Sequence, residues 1–95
     1  MAQSASYILK LYVTNLTPKI EGSVDKLRDI CDKELGGEYE FNIISILDNP
    51  QLAEGDRVLA TPTLIKELPI PMKRIIGDLS NTEKVLIGLD LRQKD

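Results

Sequence analysis

From Tyr7 to Leu47 the chain runs strand, helix, strand, and that succession restricts it to a small set of folds. In YILKLYV, Leu9, Leu11 and Val13 fall on one side of an extended chain and Ile8, Lys10 and Tyr12 on the other, the period of two expected of a strand with one side committed to a core. Thr17 followed by Pro18 is a helix start, a side-chain cap ahead of a proline whose fixed φ suits the first turn. Ile20, Val24, Leu27, Cys31 and Leu35 then recur at helical spacing until Gly36-Gly37 ends the run. Tyr39 to Leu47 (YEFNIISIL) begins by alternating and finishes almost wholly apolar, as a strand entering the middle of a sheet does. These segments predict a βαβ unit with parallel strands and a right-handed crossover.

The second half is more broken. Asn49-Pro50 starts a short helix over Gln51 to Glu54, Gly55 ends it, and Arg57 to Ala60 leads into Thr61-Pro62-Thr63-Leu64-Ile65. Pro62, Pro69 and Pro71 require any strand between them to be short or at an edge. Lys73 to Ile76 is a strand and Gly77-Asp78 a turn. Leu79 to Leu91 fits two structures. As a helix it has Ser80 as N-cap and Glu83 three residues on, a capping box. As a strand it alternates Val85, Ile87, Leu89 and Leu91 with Leu86, Gly88 and Asp90. Gly88 disfavours the helix by roughly 1 kcal/mol, and Asp90 places a negative charge at the negative end of the dipole. By propensity, Gly88→Ala and Asp90→Arg both push toward the helix. With that helix the order is thioredoxin-like, and Thr61-Pro62 falls where such folds carry a cis proline.

Composition removes most chemistry. The 95 residues make one domain, with no His and a single Cys. The usual general base and the commonest metal ligand are therefore missing, and no internal disulfide can form. Cys31 lies on the apolar stripe of the first helix, the place of a small buried hydrophobe. A redox thioredoxin needs Cys-x-x-Cys after its first strand, and here that loop reads Thr14-Asn15-Leu16-Thr17-Pro18. Twelve Lys and Arg interspersed with fifteen Asp and Glu give a net charge of −3, a poor match for nucleic acid. No apolar run is long enough to span a membrane and no signal segment opens the chain, so the expected location is cytoplasmic.

Asn49 to Leu91 closely resembles the KaiB family, small partner proteins of the KaiC ATPase in bacterial clocks. The match rests on NPQLAE (Asn49 to Glu54), LATPTL (Leu59 to Leu64), the prolines near 69 to 71, and RIIGDLSNTEKVLIGLDL (Arg74 to Leu91). Tyr7 to Val13 and Thr17-Pro18 extend it across nearly the whole chain. The resemblance implies a single domain over residues 1–95 whose sequence occupies two folds, a tetrameric βαββααβ form and a monomeric thioredoxin-like βαβαββα form, each built on a mixed four-stranded sheet. Residues 1–48 are common to both and 49–95 are rebuilt.

The implied function is non-enzymatic. One form docks on a KaiC-like ATPase hexamer and modulates it in a circadian clock, or, alternatively, the chain is an adaptor in stress signalling. Self-association as a tetramer or dimer is implied, with KaiA or sensor histidine kinases as further partners and no cofactor. By residue-for-residue match, Arg57, Lys66, Lys73 and Arg74 are the partner-binding positions, although exposed basic residues often form only a solvated face. Tyr7, Pro62, Gly88 and Asp90 are the fold-switch positions, Pro62 because exchange about an X-Pro bond is slow. The ordinary alternatives are sheet packing for Tyr7, a strand-starting proline for Pro62, a turn glycine for Gly88 and a surface charge for Asp90. A static thioredoxin-like interaction domain, like the sensor at the head of a clock-associated histidine kinase, is the main rival.

Overall fold

A computed structural model describes residues 7–36 and 38–91. The order is β1 (Tyr7–Val13), α1 (Pro18–Glu34), β2 (Tyr39–Ser45), α2 (Pro50–Gly55), β3 (Thr63–Leu68), β4 (Lys73–Ile76) and α3 (Thr82–Gly88). Of the two topologies the resemblance implies, this is the thioredoxin-like βαβαββα. The sheet runs β2-β1-β3-β4. β1 is parallel to β2 and antiparallel to β3, which is antiparallel to β4.

In the first half β1 and α1 follow their local signals. β2 instead stops at Ser45 and lies at the edge of the sheet with none of its residues fully buried, not in the middle as its apolar end suggests. Thr17 caps α1 by accepting from the Ile20 N–H at 3.2 Å, with Pro18 in the first turn. Val24, Leu27 and Cys31 are its buried stripe. The helix ends at Glu34 with Leu35 as its C-cap, and Gly36 follows at φ +62°, a conformation that glycine adopts without a Cβ penalty. Gly37, the second glycine of the pair, lies outside the described residues.

Leu9, Leu11 and Val13 of β1 and Leu64 of β3 face α1 and α3 and form the larger core with Val85, Leu86 and Leu89. Fully burying side chains of this kind stabilises by about 1.5–3 kcal/mol each. On the other face, Tyr12, Ile65 and Ala53 form a smaller core under α2, joined by Ile44, Ile46 and Val58. β3 is short but interior rather than at an edge. It can pair on both sides because Pro62 and Pro69 flank its residues instead of interrupting them. The peptide bonds before Pro62, Pro69 and Pro71 are all cis.

The ambiguous segment is a helix, and its ends differ from the capping box read in the sequence. Asn81, not Ser80, is the N-cap and accepts from the Lys84 N–H at 3.0 Å. Ser80 is taken by Asp78, whose carboxylate accepts from the Ser80 N–H and hydroxyl, each at 2.9 Å. The helix wins because Val85, Leu86 and Leu89 meet the core together, a face that only helical spacing assembles.

Asp90 stands beyond the helix. At φ +59° it is the left-handed residue of a Schellman turn, in which the Leu91 N–H reaches the Leu86 carbonyl at 2.8 Å and the Asp90 N–H the Ile87 carbonyl at 3.1 Å. Aspartate tolerates this conformation better than most residues and arginine does not, so Asp90→Arg exchanges a dipole gain for backbone strain and does not simply favour the helix.

Gly88 also does more than weaken a helix. A Cβ there would lie 2.6 Å from Ile75 Cδ1 of β4. Gly88→Ala therefore gains helix propensity only by displacing the tip of Ile75. In urea denaturation, Gly88→Ala alone is expected to change stability by less than about 0.5 kcal/mol, and in an Ile75→Val background to stabilise by about 0.5–1 kcal/mol. Equal gains in both backgrounds would show that the contact does not matter.

Candidate functional site

At the corner where β1 meets α1, Thr17, Lys19, Ile20, Ser23, Pro62, Gly77, Asp78 and Leu79 line a cleft of about 370 Å³. A redox protein of this shape holds its thiols here. In this chain the Thr14 and Thr61 hydroxyls share a 2.9 Å hydrogen bond at that corner. The hydrogen bonds from the Ser80 backbone and hydroxyl hold the Asp78 carboxyl below its usual range. Cys31 is elsewhere, in the larger core, where burial and, less so, Asp32 push its thiol up to about 11. Such a thiol is no nucleophile near neutral pH. Among the described residues no cluster of three or more acidic, His or Cys side chains could hold a metal ion.

The four basic positions singled out by sequence do not form one patch. Lys66 and Lys73 are cross-strand partners in the β3–β4 ladder, at the base of the hairpin that joins those strands. Lys66 is 2 % exposed, because its register partner Leu9 places it on the face of the larger core. No fully enclosed side-chain nitrogen among the described residues lacks a partner, so the buried stem of Lys66 brings its ammonium just to the surface. Lys73 is half-exposed, with its Nζ 3.9 Å from the Asp90 carboxylate, which joins a binding candidate to a switch candidate. The hairpin itself is apolar at its tip, with Leu68 and Met72 exposed and Ile70 79 % exposed.

Arg57 and Arg74 lie on the opposite face, by α2. Arg57 is exposed and holds φ +56° just after that helix. Arg74 turns inward: its guanidinium donates to the Asp56 carbonyl at 2.8 Å and the Arg57 carbonyl at 3.3 Å. Of the switch positions, Tyr7 packs against the larger core, Gly88 and Asp90 close α3 against β4, and Pro62 lies at the cleft.

The strongest cluster was not singled out by sequence. Lys10 Nζ lies 3.1 Å from Asp56 Oδ2 and 3.0 Å from Glu67 Oε2, and the Tyr12 hydroxyl donates to the same Asp56 oxygen in a short hydrogen bond. That hydroxyl is also 3.2 Å from the Leu52 carbonyl, but its single proton goes to the carboxylate. Burial opposes the charge on Lys10, yet Glu67 and Asp56 outweigh it and raise the ammonium above its ordinary value. Burial, then Asp56, pushes the Tyr12 phenol up to about 12. Burial would also raise the Asp56 carboxyl, but Tyr12, Lys10 and Arg74 together hold it below the usual range. The available signal was a lysine and a tyrosine on the second face of a strand that the fold covers on both sides.

The scaffold is of the thioredoxin-like class, with the Thr14 and Thr61 hydroxyls at its corner and a β3–β4 hairpin of apolar and basic residues. Solved structures agree on the fold. The N-terminal domain of SasA from Synechococcus elongatus superposes with a TM-score of 0.69 at 22 % identity, covering 100 % of this chain and 93 % of that one. A thioredoxin from Fasciola hepatica gives 0.65 at 15 % identity, with 90 % and 83 % covered.

The particular family follows from sequence similarity. The KaiB domain model matches residues 10–91, and the chain belongs to the KaiB family. It is 56 % identical over 91 residues to the circadian clock oscillator protein KaiB of Prochlorococcus marinus, covering 96 % of this chain and 76 % of that protein. It is 58 % identical over 86 residues to the KaiB of Thermostichus vulcanus, covering 90 % and 80 %.

Two outcomes are expected at the Asp56 cluster. Tyr12→Phe removes a hydrogen bond to a charged group and should cost about 1.5 kcal/mol in urea denaturation. The folded Asp56 carboxyl binds its proton less tightly than the unfolded one, so its contribution is full above the unfolded pKa of about 4 and is lost as pH falls through the lower folded value. Stability measured from pH 5 to 3 should therefore fall less steeply in Asp56→Asn than in the unmodified chain. Parallel slopes would contradict the assignment.

Proposed function

We propose that the chain is a non-enzymatic regulator that docks on a KaiC-like ATPase hexamer and modulates its activity or phosphorylation state in a circadian clock or a clock-derived signalling system. The observation that carries this reading is membership of the KaiB family over residues 10–91, on a scaffold whose corner carries the Thr14 and Thr61 hydroxyls where a redox protein carries thiols. The docking surface is the β3–β4 hairpin: Leu68, Ile70 and Met72 supply apolar area, and Lys73 with the tip of Lys66 supplies charge. Because the Lys66 stem is packed, little rotamer freedom remains to be lost when its ammonium meets a partner carboxylate. Arg57 extends the basic character to the α2 face. Arg74 acts from inside, through the carbonyls it holds.

In this reading residues 1–48 keep their arrangement while 49–95 exchange with a self-associated βαββααβ form, and Tyr7, Pro62, Gly88 and Asp90 set the balance. A ring that binds one topology shifts the population by its differential affinity for the two. KaiA and sensor histidine kinases are the further partners of the assembled complex. Incubation with a KaiC-like hexamer and ATP, followed by size-exclusion chromatography, should give a co-eluting complex. Lys73→Ala should weaken it several-fold with unchanged far-UV circular dichroism. A chain that never co-elutes with the ring would end this reading.

A further inference from the structure

α2 has less to hold it than any other helix described. Its six residues bury one side chain, Ala53, and a helix of that length does not persist in water unaided. Its start has no side-chain cap; the Asn49 amide nitrogen instead donates to the Ser45 carbonyl at 3.1 Å. Its end is a Schellman turn, with the Val58 N–H on the Ala53 carbonyl at 2.9 Å and the Arg57 N–H on the Glu54 carbonyl at 3.0 Å. The left-handed residue of that turn is Arg57, where glycine is the unstrained choice. Pro50 in the first turn and the two hydrogen bonds of that closing turn favour α2, while its length, its uncapped start and the left-handed Arg57 work against it.

The compensating contacts are polar and come from three strands. Lys10 and Tyr12 of β1 grip the Asp56 carboxylate as the helix ends, and Glu67 of β3 holds Lys10 in position. Arg74 of β4 supplies donors to the Asp56 and Arg57 carbonyls, acceptors that a helix terminus leaves open. We infer that Asp56 is a latch: the network it anchors keeps α2 folded on the sheet, and releasing it lets α2 open as a unit while β1, α1 and β2 stay intact. Leu52 of α2 and Leu59 in the loop beyond it, the latter 94 % exposed, lie on the segment that the latch presents or withdraws. The latch belongs to the chain alone and operates whichever partner it meets.

Residue-resolved amide hydrogen exchange on the full chain tests this. Asp56→Asn should speed exchange at Ala53 and Val58 about tenfold or more, the loss of charge-assisted hydrogen bonds read as local opening, with Leu11 and Leu27 staying better protected than either in both chains. Arg74→Met should act in the same direction, and Arg57→Gly, which relieves the turn, should slow the same amides. If Asp56→Asn fails to fold, Arg74→Met and Arg57→Gly carry the test. Unchanged exchange at Ala53 and Val58 in the loosening variants, or protection at Ala53 and Val58 equal to that at Leu11 and Leu27, so that all four open together, would overturn the latch.

Discussion

β1 is buried on both faces, and the rest of the molecule is arranged around the difference between them. Leu9, Leu11 and Val13 give one face wholly to apolar packing, on which α1 and α3 settle together. The other face presents Lys10 and Tyr12, and neither can be buried without a partner. Asp56 and Glu67 are those partners. A requirement created in the first strand is thus met by residues of the second half, and meeting it brings α2 onto the sheet.

The two faces hold their helices by different means. α1 is long, capped and anchored by an apolar stripe, so its stability is mostly local and hydrophobic. α2 buries a single alanine and relies on charge and hydrogen bonds. α3 lies between these cases, with two core side chains and a third, Leu89, at its C-cap, but an aspartate in its left-handed cap position and a glycine pressed against Ile75. The costs therefore concentrate after residue 49, in the half that the family resemblance describes as rebuilt. Locally disfavoured elements held by a few long-range contacts are the kind that a binding partner can redistribute.

Much of this was legible in the chain. Period-two alternation gave β1, the Thr17-Pro18 and Gly36 punctuation gave α1, and proline and glycine spacing placed the short α2. The family resemblance was legible too, from motifs that run nearly end to end. The end of α3 was not, because Ser80 and Asn81 are both good caps and only the carboxylate of Asp78 decides between them. Lys66 reads as a surface residue until the β1–β3 register opposes it to Leu9. The Asp56 cluster joins residues 46 positions apart, a separation no local pattern reports.

The central claim is that β1 pairs antiparallel with β3 while the last segment is helical. Nuclear Overhauser spectroscopy on the isotope-labelled chain in solution tests it directly. Cross-strand contacts linking Lys10 with Ile65 and Tyr12 with Thr63 are expected, together with sequential amide contacts through Thr82 to Gly88. Extended-chain contacts from Val85 to Leu91 with those β1–β3 contacts missing would contradict it.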